Sequence, residues 1–187
     1  HTPVASLQTE LRHEIMARPA PNITTVTLPT GMGKTLIAAQ WALRYRVGRK
    51  EATPRKIIVV LPFLSVVDQT VREYRNLLTL DRVNDIVLEA HSLAPRHYAS
   101  TEDADEDSLR MENNARDFTA DTWQAPIVIT TFDQFLCALF SSEGRYLLRF
   151  HNLADAVVVM DEIQAIPPRL WRPLSFAVQH LAVEMNA

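Results

Sequence analysis

The 187 residues of this chain predict an α/β fold, a mostly parallel β-sheet with helices on both faces. Three observations point to it. Short apolar runs alternate with stretches of helical periodicity, and parallel strands need such helical crossovers to connect them. The run V-V-V-M at 157–160 is apolar throughout, which suits a strand buried on both faces. Two apolar strands also run directly into polar clusters suited to a nucleoside triphosphate: L-P-T-G-M-G-K-T at 28–35 and M-D-E-I-Q at 160–164.

The elements follow in order. Val4, Leu7, Leu11 and Ile15 fall at helical spacing, so the first segment is an amphipathic helix. Residues 18–22 hold two prolines and form a connector to a first strand at 23–28, I-T-T-V-T-L, rich in β-branched residues. Residues 36–46 continue as a helix with Leu36, Ala39 and Leu43 on one face. Further strands are expected at 57–61, 85–89, 127–131 and 157–160, with helices at 65–78, 132–140 and 168–185. Residues 95–123 are expected to be an irregular acidic insertion, with a helix candidate at 109–118. No internal repeat is evident, and the length suits one domain, residues 1–187.

Composition narrows the class. A hydrophobic fraction of 47% agrees with a globular chain, and no apolar run approaches the length of a membrane span. No signal peptide is expected from the first residues given. The single cysteine, Cys137, cannot form an internal disulfide and sits in an apolar stretch, so a buried thiol in a reducing cytoplasm is expected. The net charge of −3 is dominated by Glu102, Asp103, Asp105, Glu106 and Asp107. That run is expected to be a solvated surface segment. His91 is expected to be a hydrogen-bonded structural histidine, and His13, His97, His151 and His180 show no metal spacing.

The glycine-rich loop carries the first chemistry. Gly31 and Gly33 permit positive φ and close approach of phosphate oxygens to the main chain. Backbone N–H groups of Thr30, Gly31, Met32 and Gly33 would then face the phosphates, with the positive end of the following helix behind them. Lys34 would reach the β- and γ-phosphates, and the Thr35 hydroxyl would be a ligand of Mg²⁺. The strict pattern G-x-x-x-x-G-K-[ST] is not met, because its first glycine would fall at position 28, which is Leu28.

Asp161 and Glu162 follow a buried strand, and ligands of open α/β sheets bind beyond the carboxyl ends of strands. Asp161 would hold Mg²⁺. Glu162 would orient and deprotonate the attacking water, with Gln164 placed to sense the γ-phosphate or a neighbouring domain. Three further strand ends lie between the two motifs: L-P-F-L-S at 61–65, E-A-H-S at 89–92 and I-T-T-F-D-Q-F at 129–135. They could form a row of small polar groups that holds a nucleic-acid backbone. Helix capping is the competing role, by Ser65 with Asp68 and by Thr131 with Gln134.

The order of P-T-G-M-G-K-T, L-P-F-L-S-V-V-D-Q, E-A-H-S, W-Q-A-P-I-V-I-T-T-F-D-Q-F and M-D-E-I-Q resembles the first RecA-like domain of superfamily 2 helicases. More narrowly it resembles the helicase portion of the CRISPR-associated helicase–nuclease of type I systems. Leu28 fits there, because superfamily 2 loops commonly lack the first glycine. The resemblance implies ATP and Mg²⁺ as cofactors and 3′-to-5′ movement on single-stranded DNA. It also implies recruitment by a CRISPR surveillance complex. Pro62, Phe63, Ser65, Thr130 and Thr131 match the segments that track DNA, and Gln8 is the candidate for reading adenine. A second RecA-like domain, an S-A-T-type motif, an arginine finger and a histidine–aspartate nuclease domain are not found in the chain. The resemblance therefore implies a piece of a larger machine, weak in hydrolysis by itself. Two other functions remain open: a helicase-like motor of repair, restriction or RNA metabolism, and a nucleotide-dependent docking module that does not translocate.

Overall fold

The computed structural model describes residues 3–17, 22–29, 31–47, 55–78, 86–91 and 117–187. Helix α1 (Pro3–Ala17) packs against α2 (Lys34–Val47). Strand β1 (Ile57–Leu61) leads into α3 (Leu64–Leu78), and β2 (Val87–Ala90) follows. A short helix at 117–122 precedes β3 (Ile127–Thr131), α4 (Phe132–Phe140), α5 (Gly144–Phe150), β4 (Val157–Met160) and α6 (Trp171–Glu184). All strand pairs are parallel, in the order β2-β3-β1-β4. This is the α/β, RecA-like arrangement that the sequence predicts.

Alternation along each strand builds two cores. Ile57, Val59 and Leu61 of β1, with Ile127 and Ile129 of β3, face Ala39 and Ala42 of α2 and Val67, Val71 and Tyr74 of α3. The intervening Ile58, Val60 and Val128 face Phe132, Phe135 and Ala138 of α4 and Leu174 and Leu181 of α6. Side chains two apart share a face, so strands apolar at every position satisfy both layers at once. On α6, Phe176 and Val183 are exposed.

Several expectations change. Residues 23–28 form no strand of this sheet, and 23–27 are exposed with Leu28 half-buried. The Asn22 side chain ties this segment's start to the Ala182 carbonyl at 3.1 Å. β-branched residues favour strands because they pack on a pleated, half-buried surface. Without a ladder partner that preference is not expressed. α5 was not anticipated. Residues 117–122 are helical, overlapping the helix candidate at 109–118 at its end and continuing past it, and residues 95–116, with the acidic run 102–107, lie outside the described residues. Cys137 is half-buried rather than buried. No helix of the described residues is long and apolar enough to cross a membrane.

At the amino-terminal edge of the sheet two cations hold the chain that enters β3. Arg46 donates to the Pro126 carbonyl at 3.0 Å, and the Lys56 ammonium donates to the Trp123 carbonyl. Burial, with Arg46 nearby, lowers the Lys56 pKa from 10.5 to about 8. Folded Lys56 therefore loses its proton near pH 8 and unfolded Lys56 near 10.5, so between these values the unfolded chain binds more proton and stability rises with pH. Lys56→Met is expected to remove that rising component. Matching slopes for both proteins in denaturant unfolding across this window would contradict it.

Candidate active site

Parallel pairing brings the carboxyl ends of all four strands to one edge. Leu61 lies beside Thr131, Ala90 beside Thr130, and Val60 beside Met160. The glycine-rich loop reaches this edge from its own side. Gly31 and Gly33 have φ of 80° and 73°, and among the described residues no atom beyond the adjoining ones lies within 4 Å of where a Cβ would stand on either. Conformation, not lack of room, selects glycine at both positions. The Ile37 N–H bonds to the Gly33 carbonyl at 3.0 Å and opens α2, whose first-turn amides face out of the helix end. That arrangement fits an anion, and the half-buried Thr35 hydroxyl stands in the same turn. Met32 is buried, which leaves its main chain for a phosphate. Thr30 lies outside the described residues. Gln8 is placed on α1, with its side chain also outside that description.

Asp161 extends the β4 ladder by one bond, from its N–H to the Val60 carbonyl at 3.1 Å. Its carboxylate then accepts the Glu162 N–H at 2.9 Å. The chain turns sharply here, and Glu162 adopts a left-handed conformation with φ 52°. For a residue with a Cβ this costs about 1 kcal/mol. The turn carries the Glu162 side chain back toward the loop, where its Oε1 lies 3.4 Å from Lys34 Nζ, across 128 residues of sequence. Gln164 donates to the other Glu162 oxygen. Lys34, Glu162 and Gln164 thus form one connected group, and Asp161 is its covalent neighbour. The lysine and Glu162 are 32% and 43% exposed, so both remain open to solvent and to a ligand. The donor set fits Mg²⁺ with a triphosphate: a hydroxyl, two carboxylates, an ammonium and a helix amino terminus.

The residues expected to track nucleic acid are distributed unevenly. Phe63 is 63% exposed, Ser65 is exposed and Pro62 is half-buried. Ser65 does not cap α3: the helix begins at Leu64, and the Phe63 carbonyl accepts the N–H groups of Val66 and Val67, each at 3.1 Å. Thr131 does cap α4, its hydroxyl accepting the Gln134 N–H at 3.4 Å. Thr130 is fully buried, and its hydroxyl donates to the Ala90 carbonyl across β3 and β2. Both threonine hydroxyls therefore have structural partners.

The side chain of Gln134 does not complete a reciprocal capping box. It accepts from Arg149 at 2.7 Å. Arg149 is only 8% exposed, donates a second bond to the Asp121 carbonyl at 2.9 Å, and lies over the rings of Trp123 and Tyr146 at 5.2 and 5.1 Å. The sequence reading missed it, although its signal was present: an arginine three residues after Tyr146 and beside Phe150, on the apolar side of a helix. His91 bonds to Glu89 at 2.6 Å and lies 3.9 Å from Asp68. These three groups cluster closely enough for a metal, but Arg72 and Arg75 line the same cavity and oppose a cation. A hydrogen-bonded histidine is the reading this supports.

Comparison with known proteins agrees with this geometry. Residues 4–164 match the family described as type III restriction enzyme, res subunit. The CRISPR-associated nuclease/helicase Cas3 of Haloferax volcanii is 31% identical over 170 residues, or 88% of this chain. The match spans 18% of that protein's length.

Proposed function

From the premise that this chain belongs to the helicase family of the type III restriction enzyme res subunit, we propose that it is the ATP-binding and hydrolysing domain of a CRISPR-associated DNA helicase. The proposed motor moves 3′ to 5′ on single-stranded DNA during interference, in the cytoplasm. It works with a second RecA-like domain, with a nuclease domain or subunit, and with a CRISPR surveillance complex. The observation that carries the ATPase assignment is the 3.4 Å approach of Lys34 to Glu162. The likeness to the Haloferax volcanii nuclease/helicase over 88% of this chain supports the narrower assignment. The restriction description of the matched family supports a second reading, a translocase of restriction type. Recruitment separates them, since the first reading requires binding to a surveillance complex that has opened its target.

The chain's own residues divide the work. Lys34 and the amides of Gly31 to Thr35 bind and orient phosphate oxygens. Glu162 takes the proton of the attacking water, and Gln164 holds the Glu162 carboxylate in place. Thr35 and Asp161 would hold Mg²⁺, which supplies neutralisation of phosphate charge when bound. Lys34 cannot serve phosphates and remain paired with Glu162 to the same extent. Binding of the triphosphate therefore frees the base where it is needed.

On the nucleic-acid side, Pro62, Phe63, Ser65 and the turn at Thr131 are proposed to face the DNA backbone, through main-chain groups as much as hydroxyls, whereas Thr130, fully buried and paired to both neighbouring strands, supports that edge from beneath. Few lysines or arginines stand there, so binding is expected to be nearly independent of sequence and to weaken only shallowly with salt. Thr131→Val should lower the DNA-stimulated ATPase rate more than the basal rate, at a capping cost of about 1 kcal/mol. Thr130→Val leaves the buried Ala90 carbonyl without its donor, so its main expected effect is a stability loss of about 1–3 kcal/mol. Titration of single-stranded DNA at two salt concentrations, beside thermal unfolding, checks both. Equal loss of basal and stimulated rates in Thr131→Val would reduce that residue to a cap.

A further inference from the structure

Strand β3 is held at both ends by one buried guanidinium. Arg149 donates to the Asp121 carbonyl, which precedes β3, and to the Gln134 side chain, which follows it. Asn152 reinforces the first contact with a 2.7 Å bond to the Thr122 carbonyl. Between these contacts lies Trp123, fully buried, with φ 58° and the Arg149 guanidinium over its ring. A left-handed tryptophan persists only where its surroundings over-determine it. The second contact fixes Gln134, whose own N–H is bonded to the Thr131 hydroxyl. The guanidinium thus reaches Thr131, at the carboxyl end of β3 and itself only 8% exposed, through two hydrogen bonds in series.

We propose that Arg149 is a positioning residue for nucleic-acid-coupled ATP hydrolysis: it sets the β3–α4 turn, and Thr131 with it, against the edge that carries Asp161 and Glu162. This rests on the reading that the turn faces single-stranded DNA. No contact of Arg149 with nucleotide or DNA is required. A guanidinium is suited to the task because its fork serves two acceptors at fixed separation while its plane stacks on an aromatic ring. A lysine can satisfy one acceptor at a time.

The test uses the full-length polypeptide that carries this domain, with steady-state ATPase measured against single-stranded DNA concentration. Arg149→Met and Gln134→Met each remove the Arg149–Gln134 bond. Each is expected to raise the DNA concentration for half-maximal stimulation about tenfold, with the basal rate changed less than about twofold. Gln134→Glu keeps an acceptor for the guanidinium and is expected to stay near the parent value. The double variant Arg149→Met with Gln134→Met should be no worse than the Arg149→Met change alone, because both break the same link. Thermal unfolding identifies a misfolded Arg149→Met, in which case the two Gln134 variants decide. Unchanged half-saturation in Gln134→Met, or equal damage in Gln134→Glu and Gln134→Met, overturns the proposal while leaving the ATPase reading intact. A parent with basal hydrolysis but no response to DNA overturns the nucleic-acid reading and this proposal together.

Discussion

Lys34→Ala is expected to lower ATP hydrolysis by about 10²–10³-fold, the range typical of removing one preorganised charge stabiliser. Lys34 is the only lysine of the glycine-rich loop, and no other cation is seen against Glu162 among the described residues. The change has two separable consequences. Phosphate oxygens lose their ammonium partner, which weakens both nucleotide binding and the transition state. Glu162 also loses the partner that holds its side chain near the loop, so its left-handed backbone loses one of its restraints. Thermal unfolding should change little, because an exposed ion pair contributes at most about 1 kcal/mol. Thr35→Ala in the same assay should mainly weaken Mg²⁺-dependent nucleotide binding. Full turnover by the lysine variant would remove the phosphate role from this loop.

Glu162→Gln is the second large expected effect, a loss of about 10²–10⁴-fold in turnover with Mg·ATP binding retained. The amide preserves shape and can still meet Lys34 through its oxygen, but it cannot accept a proton from water. Asp161→Asn should differ by losing metal affinity as well. Structurally it keeps an oxygen to accept the Glu162 N–H, which makes it a clean variant of charge alone. Nucleotide titrations with and without Mg²⁺, alongside single-turnover hydrolysis, separate the two residues. Equal loss of Mg·ATP affinity in both variants would show that metal binding and base are not divided as proposed.

The chemistry of the site was largely legible because it lies in contiguous residues. G-M-G-K-T specifies two positive-φ positions and a helix start, and the structure has both. D-E after V-V-V-M specifies carboxylates at a strand end, and β4 ends there. The strands at 57–61 and 127–131 were readable because runs buried along their whole length admit few alternatives; the strand at 157–160 was readable as an apolar run but is half-buried beyond Val157 rather than buried on both faces, and β2 shifts from 85–89 to Val87–Ala90. The strand expected at 23–28 was not decided this way. Its β-branched residues express a preference that depends on a ladder partner, which is a tertiary matter.

The sequence by itself determined which residue types stand at the strand ends, and so which groups are proposed to meet a phosphate and a metal. Tertiary structure decided which of those groups meet. Parallel register placed Thr130, Thr131 and the end of β1 on one edge. It also buried Thr130 and turned its hydroxyl to Ala90, a fate that neighbouring residues in sequence do not reveal. The Lys34–Glu162 approach and the Arg149 bracket likewise join residues 128 and 15 or more positions apart. Contacts of that separation depend on where the sheet order places whole elements. Local periodicity carries no information about that order, so the folded chain was needed to see them.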